Sequence, residues 1–451
     1  MTEKPNRFGP VWLQPGVSTG NMLTLMLGGY TTIGLLTFVA LGTPHVLTVY
    51  LGVPQGEQGA LSGYLHAFQE MVALAVFAPL GILADRIGRR EVYVASFLMM
   101  ALGYALYSFV SSIPELYAYR AIYAVGVAGV TGMLGTIVAD YSQDRSRGLL
   151  VAGVGVLNAL GVITVAIVLG HLPQFFVERG ASQAAAGHDA FFVVAGICVV
   201  MALLLALGLK GGTPVAKAQR LSFPELVRSG LAEARNPRIA LSYACGFIAR
   251  SDLVLLGTYS VLWGTTVAAS RGMPAAQALA EGRKIFTIAS TAALLWLFVI
   301  GVVIDRVNRV TGIIICMTLA SMGYLGTMFI DDPLSKDAIP LIILLGIGQI
   351  SAFAGAQTLI SKEAPPRSRA SVIGMFNVFG AAGILLSTAL GGVLFDRIGP
   401  HAPFVMVGGL TVLLIAAAVV CRIKAPGPLS DREPTTAVSD ALRLKGDSLR
   451  Q

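Results

Sequence analysis

Long hydrophobic runs separated by short polar segments repeat along the whole chain. Residues 191–209 and 339–361 carry no charged side chain, and apolar runs of about 18 residues or more are typical of membrane-spanning helices. A membrane β-barrel would instead show alternating segments of about 10 residues, which this sequence lacks. The pattern therefore predicts an all-α membrane protein. The twelve expected transmembrane helices are 24–51, 59–83, 92–111, 116–139, 149–171, 190–209, 240–267, 285–304, 310–330, 338–361, 370–395 and 402–421.

Composition supports a lipid environment for most of the surface. Hydrophobic residues make up 55% of the chain and charged residues 12%, whereas a soluble domain carries about 25% charged residues. The four cysteines lie in or beside apolar runs, a spacing that indicates neither a disulfide framework nor a metal site. The sequence contains no zinc-protease motif, Cys/His cluster or ATP-binding loop. An enzyme, an ATP-driven pump, a metal and a cofactor are therefore not expected.

Lysine and arginine are concentrated on one side of the predicted helices. If the N-terminus lies inside, the inside segments hold 24 of these residues and the outside segments hold 6. Cytoplasmic loops of membrane proteins carry such an excess. Both termini are therefore expected in the cytoplasm, and the chain in the inner (cytoplasmic) membrane. The net charge of +8 is explained by basic loops beside lipid headgroups, so a nucleic-acid partner is not expected.

Short sequences of the first half recur in the second half, about 220 residues later. The recurring pairs are 81–86 with 301–306, 145–148 with 367–370, and 158–161 with 377–380. Each pair occupies the same place among the predicted helices of its half. Such internal duplication, with the substrate site at the interface of the repeats, is a common plan of secondary transporters.

The repeat divides the chain into four parts. Residues 1–209 are expected to form an N-terminal six-helix bundle and residues 240–422 a C-terminal one. Between them, 210–239 is predicted to be a cytoplasmic linker with a short amphipathic helix on the membrane surface, although a plain solvated linker fits this segment nearly as well. Residues 423–451 are polar and contain several prolines and glycines, a composition that favours disorder.

The loop between the second and third predicted helices has a characteristic sequence, Gly-Ile-Leu-Ala-Asp-Arg-Ile-Gly-Arg-Arg, at residues 81–90. It resembles the signature loop of the major facilitator superfamily, and a degenerate copy lies at 301–309. A related sequence, 392–399, follows the eleventh predicted helix. The resemblance covers essentially the whole chain and implies two six-helix bundles that rock about a central site.

Residues of this loop and its copy are candidates for gating. A glycine permits close helix contact, an acidic side chain is stabilised near a helix N-terminus, and the arginines can pair with acids when one side of the protein closes. Simple anchoring of arginines at the headgroups would explain the basic residues equally well. The candidate gating residues are Gly81, Asp85, Arg86, Gly88, Arg89, Arg90, Gly301, Asp305 and Arg306.

Three ionisable side chains inside predicted helices are candidates for proton coupling. Glu70 lies near the middle of the second helix, with His66 one turn earlier on the same side, and Asp252 lies near the middle of the seventh. A charge at the bilayer centre costs about 2.5 kcal/mol or more. Because a low-dielectric environment favours the neutral carboxyl, such a group can take up and release a proton. Internal salt bridges that only fix helix packing are the alternative.

Polar side chains in the same helices are candidates for contact with substrate. Arg250 and Asp252 are two residues apart and therefore point to different sides of their helix, so they are not expected to be each other's partner. Arg250 and Arg120 favour an organic anion or zwitterion over a sugar. Interhelical hydrogen bonds or packing would also explain the uncharged members of this group. The candidate substrate-binding residues are Arg250, Arg120, Asn158, Asn377, Gln357 and Tyr259.

The sequence thus predicts a secondary active transporter that moves a small organic solute by alternating access, driven by protons. Its expected partners are a small-molecule substrate, protons and membrane lipid, and a monomer is expected. An uncoupled facilitator and a drug or lipid exporter remain alternatives within transport. The fifth predicted helix, taken with the residue before it as 148–171, lacks the Gly-Pro-x-x-Gly-Gly type motif of many drug/proton antiporters, which disfavours multidrug antiport. An integral membrane enzyme or a sensor is the alternative from another class.

Overall fold

A computed structural model describes residues 7–212, 223–365 and 368–425, and this part of the chain is almost entirely helical. A short hairpin of β1 (Arg7–Phe8) and β2 (Val11–Trp12) precedes the helices. The helices are α1 (Thr19–His45), continued by a π-helical turn (Val46–Tyr50), α2 (Gln55–Ile87), α3 (Arg89–Tyr107), α4 (Ile113–Tyr141), α5 (Asp144–Ile167), α6 (Leu172–Glu178), α7 (Gln183–Gly208), α8 (Phe223–Glu233), α9 (Pro237–Ser270), α10 (Ala275–Arg306), α11 (Arg309–Gly326), α12 (Ile339–Glu363), α13 (Arg369–Arg397) and α14 (Ala402–Lys424).

The predicted all-α architecture with twelve long helices is confirmed. Eleven helical segments of the described residues are long and apolar enough to cross a membrane. The twelfth, α3, begins with Arg89, Arg90 and Glu91, and these charges together with its tyrosines lower its hydropathy. The two short helices, α6 and α8, lie in connections between long ones.

Short polar side chains begin several of the long helices. Ser18, Ser112 and Ser182 accept hydrogen bonds from backbone N–H groups of the following first turn. Asn236 and Asn308 do the same for α9 and α11. A side-chain oxygen in this position satisfies a donor that the helix itself leaves free. These caps place the helix ends in the polar connections, outside the apolar runs.

The largest difference from the predicted boundaries concerns α10. The sequence pattern places the start of this helix at 285, whereas the structure begins it at Ala275, directly after Pro274. The first ten residues contain Glu281, Arg283 and Lys284, and these charges end the apolar run. Helical hydrogen bonding continues through them because the backbone does not require apolar side chains.

The two halves use equivalent glycines for their internal packing. In the first half, Gly34 of α1 and Gly161 of α5 face each other, and a Cβ on Gly34 would lie 2.6 Å from the carbonyl oxygen of Gly161. In the second half, a Cβ on Gly383 of α13 would collide with the backbone of Phe247 in α9. Small residues let membrane helices approach closely. The pairs α1–α5 and α9–α13 therefore repeat one packing arrangement.

The two halves contact each other near one end of the bundle. We call this end, which carries residues 51–58, 168–182 and 396–401, the far face, and the other end, which carries 84–91, 140–148 and 305–309, the basic face. At the far face, Gly392 of α13 packs so closely on α2 that a Cβ would lie 2.9 Å from the Cα atom of Ala60. Further along α2 toward the basic face, Leu74 and Phe77 lie on the same side of the helix as Gly63 and Glu70, and both are exposed. The halves are thus closed together at the far face and diverge toward the basic face.

The connection between the halves contains helix α8, which packs on the second half. The backbone carbonyl of Gly230 accepts a hydrogen bond from the Tyr243 hydroxyl at 2.8 Å, and Ser368 donates to Glu233 at 2.7 Å. These contacts fix α8 to the ends of α9 and α13. Residues 213–222 of the predicted linker lie outside the described residues.

The end of the second half differs slightly from its predicted boundary. Helix α14 runs to Lys424, two residues into the segment predicted as tail. The remainder of that segment, 426–451, lies outside the described residues.

Candidate functional site

One side of α2 faces the second half of the protein over about three helical turns. Gly59, Gly63, His66 and Glu70 are spaced by three or four residues, so they lie on the same side of the helix. All but Glu70 are buried, and Glu70 is half-buried. This line begins at the far face and ends where the halves separate. Each of its members meets a group from α9 or α13.

At the far face, Asp396 of α13 binds the first turn of α2. Its carboxylate accepts hydrogen bonds from the backbone N–H of Gly59 at 2.9 Å and of Ala60 at 2.7 Å. A carboxylate at a helix N-terminus also interacts favourably with the helix dipole. The contact joins two residues that are 337 positions apart in the chain. It ties the two halves together by charge as well as by packing.

Two turns deeper, His66 joins the halves through a buried hydrogen-bonded chain. Its Nε2 atom lies 2.8 Å from the hydroxyl of Thr258 in α9, and its Nδ1 atom lies 3.3 Å from Nη2 of Arg120 in α4. Arg120 also donates to the Tyr107 hydroxyl at 2.9 Å. The same Nη2 atom lies 3.4 Å from Nε2 of the ring, and because arginine only donates, the ring must present it with a nitrogen lone pair. The imidazole is therefore neutral in this arrangement.

Arg120 is unusual because its described hydrogen-bond partners are neutral. The side chain is 0% exposed, and among the described residues its N–H groups reach Tyr107 and His66. Its Nε atom has no hydrogen-bond partner among the described residues. A buried cation is normally paired with an acid, since desolvation of the charge costs several kcal/mol. Binding of an anion close to Arg120 would therefore be electrostatically favourable.

Glu70 and Arg250 place opposite charges on the two halves where the seam opens. Glu70 lies on α2 and Arg250 on α9, both are half-buried, and their opposite charges interact electrostatically across the seam, although the two side chains form no direct ion pair among the described residues. The Arg250 side chain lies directly over Gly380 of α13, where a Cβ would collide with it. The absence of a side chain at Gly380 thus makes the room that Arg250 occupies. Two of the candidates predicted from the sequence are brought together here.

Asp252 lies apart from this pair, inside the second half. It is 0% exposed and interacts with the hydroxyl of Tyr324 in α11. The contact does not meet hydrogen-bond geometry, and neither carboxylate oxygen has a hydrogen-bond partner in the part of the chain that the structure describes. Arg250 and Asp252 therefore point to different sides of α9, as their spacing predicts.

The uncharged candidates occupy different environments. Tyr259 is fully buried and donates to the carbonyl oxygen of Thr388 at 2.6 Å, so it joins α9 to α13. Asn377 is exposed on α13, while Asn158 and Gln357 are half-buried. The Oδ1 atom of Asn158 is buried and has no hydrogen-bond partner among the described residues. Contact of these three amide side chains with a substrate stays a prediction.

The gating candidates of the first half lie in a turn at the basic face. Gly88, between α2 and α3, has a φ of 117°, a conformation that favours glycine. Arg89 forms an ion pair with Asp140 at the end of α4, and Arg90 pairs with Glu91 at 2.9 Å. Of the remaining candidates, Arg86 is exposed and Gly81 and Asp85 are half-buried. Both of these ion pairs therefore lie within the first half.

The second half repeats this arrangement. Arg309 binds Glu363 at the end of α12 at 3.2 Å, in the position that corresponds to Arg89 and Asp140. Asp305 accepts from Lys362 at 3.2 Å. Gly301 and Arg306 are exposed, and a Cβ on Gly301 would meet nothing within 4 Å. The acids Asp140 and Glu363 are 223 positions apart in the chain and could have been found from the repeat.

Sequence reasoning missed one buried charge because it assigned the residue to a loop. Arg283 belongs to the part of α10 that was predicted as an outside connection, and it is 1% exposed. The described residues contain no group of three or more His, Cys, Asp or Glu side chains suited to hold a metal ion.

Comparison with known proteins identifies the family. The model of the Major Facilitator Superfamily matches residues 22–387 and, in a second match, 251–448. The chain belongs to the Major Facilitator Superfamily. The resemblance of the 81–90 loop is thereby confirmed, and so is the prediction that the chain is not an enzyme. It is a multi-pass membrane protein of a transporter family.

Relatives within the superfamily differ in their names. The magnetosome protein MamH of Paramagnetospirillum magneticum is 29% identical over 400 residues, which cover 85% of this chain and 88% of MamH. Among solved structures, the nucleoside transporter NupG aligns with a TM-score of 0.69 at 17% identity, covering 89% of this chain and 99% of NupG. A D-xylose-proton symporter aligns with a TM-score of 0.64 at 16% identity, covering 88% and 96%. Both structures support the fold.

Proposed function

We propose that this superfamily member is a proton-coupled secondary transporter of a small organic anion or zwitterion. The observation that carries the proposal is the position of Glu70 and Arg250, whose opposite charges lie on the two halves where the seam opens and interact electrostatically there. A charge pair in this position is broken and remade whenever the halves move. The proposal includes a monomer in the inner membrane with both termini in the cytoplasm.

The chemistry of the pair couples a proton to an anion. While Glu70 is ionised, it neutralises Arg250, and a second carboxylate gains little by approaching. When Glu70 takes up a proton, Arg250 loses its counter-ion and can bind an acidic group of the substrate. Arg250 therefore pairs either with ionised Glu70 or with the acidic group of the substrate. Loss of the proton from Glu70 in turn favours release of the substrate. This competition predicts that the proton and the anion travel together.

Other buried groups have supporting roles in this proposal. Arg120 attracts the acidic group of a substrate, because its described partners Tyr107 and His66 are neutral. A proton on His66 would remove the acceptor that Arg120 uses, so proton uptake at His66 would break this contact inside the first half and leave Arg120 free for the substrate. Asp252 is sealed within the second half, and it would exchange a proton only when α9 and α11 separate.

Two comparisons bear on the proposal without identifying a substrate. The structural neighbour named a D-xylose-proton symporter shows that proton coupling occurs on this fold. The relative MamH is named a magnetosome protein, and this name makes the magnetosome membrane a second candidate location beside the inner membrane. Fractionation of cells that contain the tagged protein would distinguish the two membranes.

The test is a ligand screen followed by a coupling measurement. Purified protein is screened by thermal unfolding against organic anions, zwitterions, sugars and lipophilic drugs at mildly acidic and mildly alkaline pH. Compounds that stabilise it are then tested for accumulation in proteoliposomes with an imposed proton gradient. We expect acids or zwitterions to stabilise the protein more strongly at acidic pH, where Glu70 is protonated.

Replacement of Glu70 by glutamine separates coupling from binding. Glu70→Gln mimics the protonated carboxyl, so Arg250 stays free to bind the anion at every pH. We expect exchange of substrate to continue while gradient-driven accumulation falls at least about tenfold, because release no longer depends on a proton. Glu178→Gln, an exposed acid at the far face, is the matched control and should behave as wild type. Asp252→Asn tests the second candidate site in the same assay.

Three results would contradict the proposal. If substrate accumulation does not depend on pH in the wild-type protein, in Glu70→Gln and in Asp252→Asn, the uncoupled facilitator is favoured. Stabilisation by lipophilic drugs alone would favour the exporter. Accumulation that is lost in Asp252→Asn and retained in Glu70→Gln would move the proton site away from the Glu70–Arg250 pair.

A further inference from the structure

Arg283 is a buried cation at the seam between the halves that the proposed mechanism does not use. It lies eight residues after the start of α10, about 12 Å along the helix from its first residue at the far face. The side chain is 1% exposed, so its guanidinium does not reach the surface. Both terminal nitrogens, Nη1 and Nη2, lack a hydrogen-bond partner among the described residues.

The surroundings of Arg283 belong to both halves. Its side chain lies against Gly170, in the turn that follows α5 of the first half. A Cβ on Gly170 would lie 2.5 Å from Cδ and 2.8 Å from Nη1 of Arg283, so the arginine fits only because this residue is glycine. The guanidinium is therefore placed in the contact between α5 and α10, and the contact must separate when the far face opens.

A nearby acid does not neutralise this charge by direct bonding. Glu281 attracts the guanidinium electrostatically, but its carboxylate binds Nζ of Lys284 at 2.6 Å. Anchoring at the headgroups, the usual role of an arginine near a helix end, requires that the side chain reach the interface. The burial of Arg283 excludes that role in the observed state. An unpartnered planar guanidinium is instead suited to bind a carboxylate or phosphate with two parallel hydrogen bonds.

We propose that Arg283 is an anion-binding residue of the transport pathway on the far side of the closed seam, where it holds the acidic group of the substrate when the far face is open. This inference rests on the proposed transport of an organic anion and adds a second position to it. Arg250 meets the anion from the basic face, and Arg283 meets it from the far face. Gly170 provides the space in which the guanidinium rests while the far face is closed.

The proposal predicts that a small dicarboxylate stabilises the state with an open far face. A ligand shifts a conformational equilibrium toward the state that it binds better. Spin labels at Phe109→Cys and Phe329→Cys, which are exposed at the far face of the two halves, report this opening by their separation. The four native cysteines are buried and are not expected to react. Sodium succinate is titrated against sodium chloride of equal ionic strength.

Succinate is expected to lengthen the distance between the labels in the otherwise unchanged protein. Arg283→Gln should weaken the apparent affinity for this effect at least about tenfold, because two charge-assisted hydrogen bonds are lost. Arg283→Lys keeps the charge without the planar fork and should fall in between. The control is Arg271→Gln, which alters a part-exposed arginine that pairs with Asp332 at 2.7 Å on the same face.

The outcomes separate this inference from the function on which it rests. If Arg283→Gln responds to succinate as Arg271→Gln does, Arg283 is not an anion-binding residue, and the proposed transport is unaffected. If the response is lost in Arg250→Gln and retained in Arg283→Gln, this inference alone is overturned. Should neither succinate nor inorganic phosphate change the distance or the unfolding temperature of the unsubstituted protein, this inference is overturned, and the proposed transport is decided by the ligand screen and the accumulation assay.

Discussion

Replacing Asp396 by alanine is expected to open the far face of the protein. Its carboxylate accepts two backbone hydrogen bonds from the first turn of α2, at 2.9 and 2.7 Å, and these bonds join the two halves. Because the carboxylate is half-buried, we discount the usual strength of charge-assisted bonds. Their loss should shift the equilibrium by about 2 kcal/mol, a factor of about 30 in favour of the open far face.

Distances between the two halves measure this shift. Spin labels at Phe109→Cys and Phe329→Cys should show one short distance in the parent protein and an added longer distance after Asp396→Ala. Asp331→Ala removes an exposed acid from the same face and serves as the control. Distance distributions that coincide in the two variants would show that glycine packing alone holds the far face closed.

Valine in place of Gly161 is expected to prevent correct assembly of the first half. A Cβ at this position would collide with the carbonyl oxygen of Tyr30 in α1, and the neighbouring Tyr30 hydroxyl donates to Thr164 at 2.7 Å in the same contact. Backbone atoms cannot move aside as a flexible side chain can. We therefore expect a loss of at least about 3 kcal/mol of stability, the upper end for overpacked cores.

The same helix provides a control for this substitution. A Cβ on Gly155 would meet nothing within 4 Å, so Gly155→Val changes helix propensity by the same amount without the collision. The measurement is the yield of monodisperse protein and its unfolding temperature in detergent. Equal yields and temperatures for the two variants would mean that α1 and α5 are not in backbone contact.

The sequence identified many residues of the candidate site, but it did not predict which of them contact one another. Glu70, Arg250 and His66 were recognisable because a charged or titratable side chain interrupts an apolar run. Their contacts were not recognisable, since Thr258 is ordinary in its own helix and Arg120, itself a candidate, meets His66 only when three helices pack. Arg283 was assigned to a loop because charges around it end the apolar run, although the helix continues through them.

By itself, the sequence determined the helical architecture, the duplication and the basic turns at residues 81–90 and 301–309. Lipid leaves the backbone no hydrogen-bond partner, so a long apolar run has only one stable structure, the helix. Only the tertiary structure decided which side of each helix a charge faces and what it meets there. Arg250 and Asp252 are two residues apart, yet one faces Glu70 of the other half and one is buried beside Tyr324. Asp396 binds an amide 337 positions away, and no local pattern encodes such a contact because it depends on the packing of both halves.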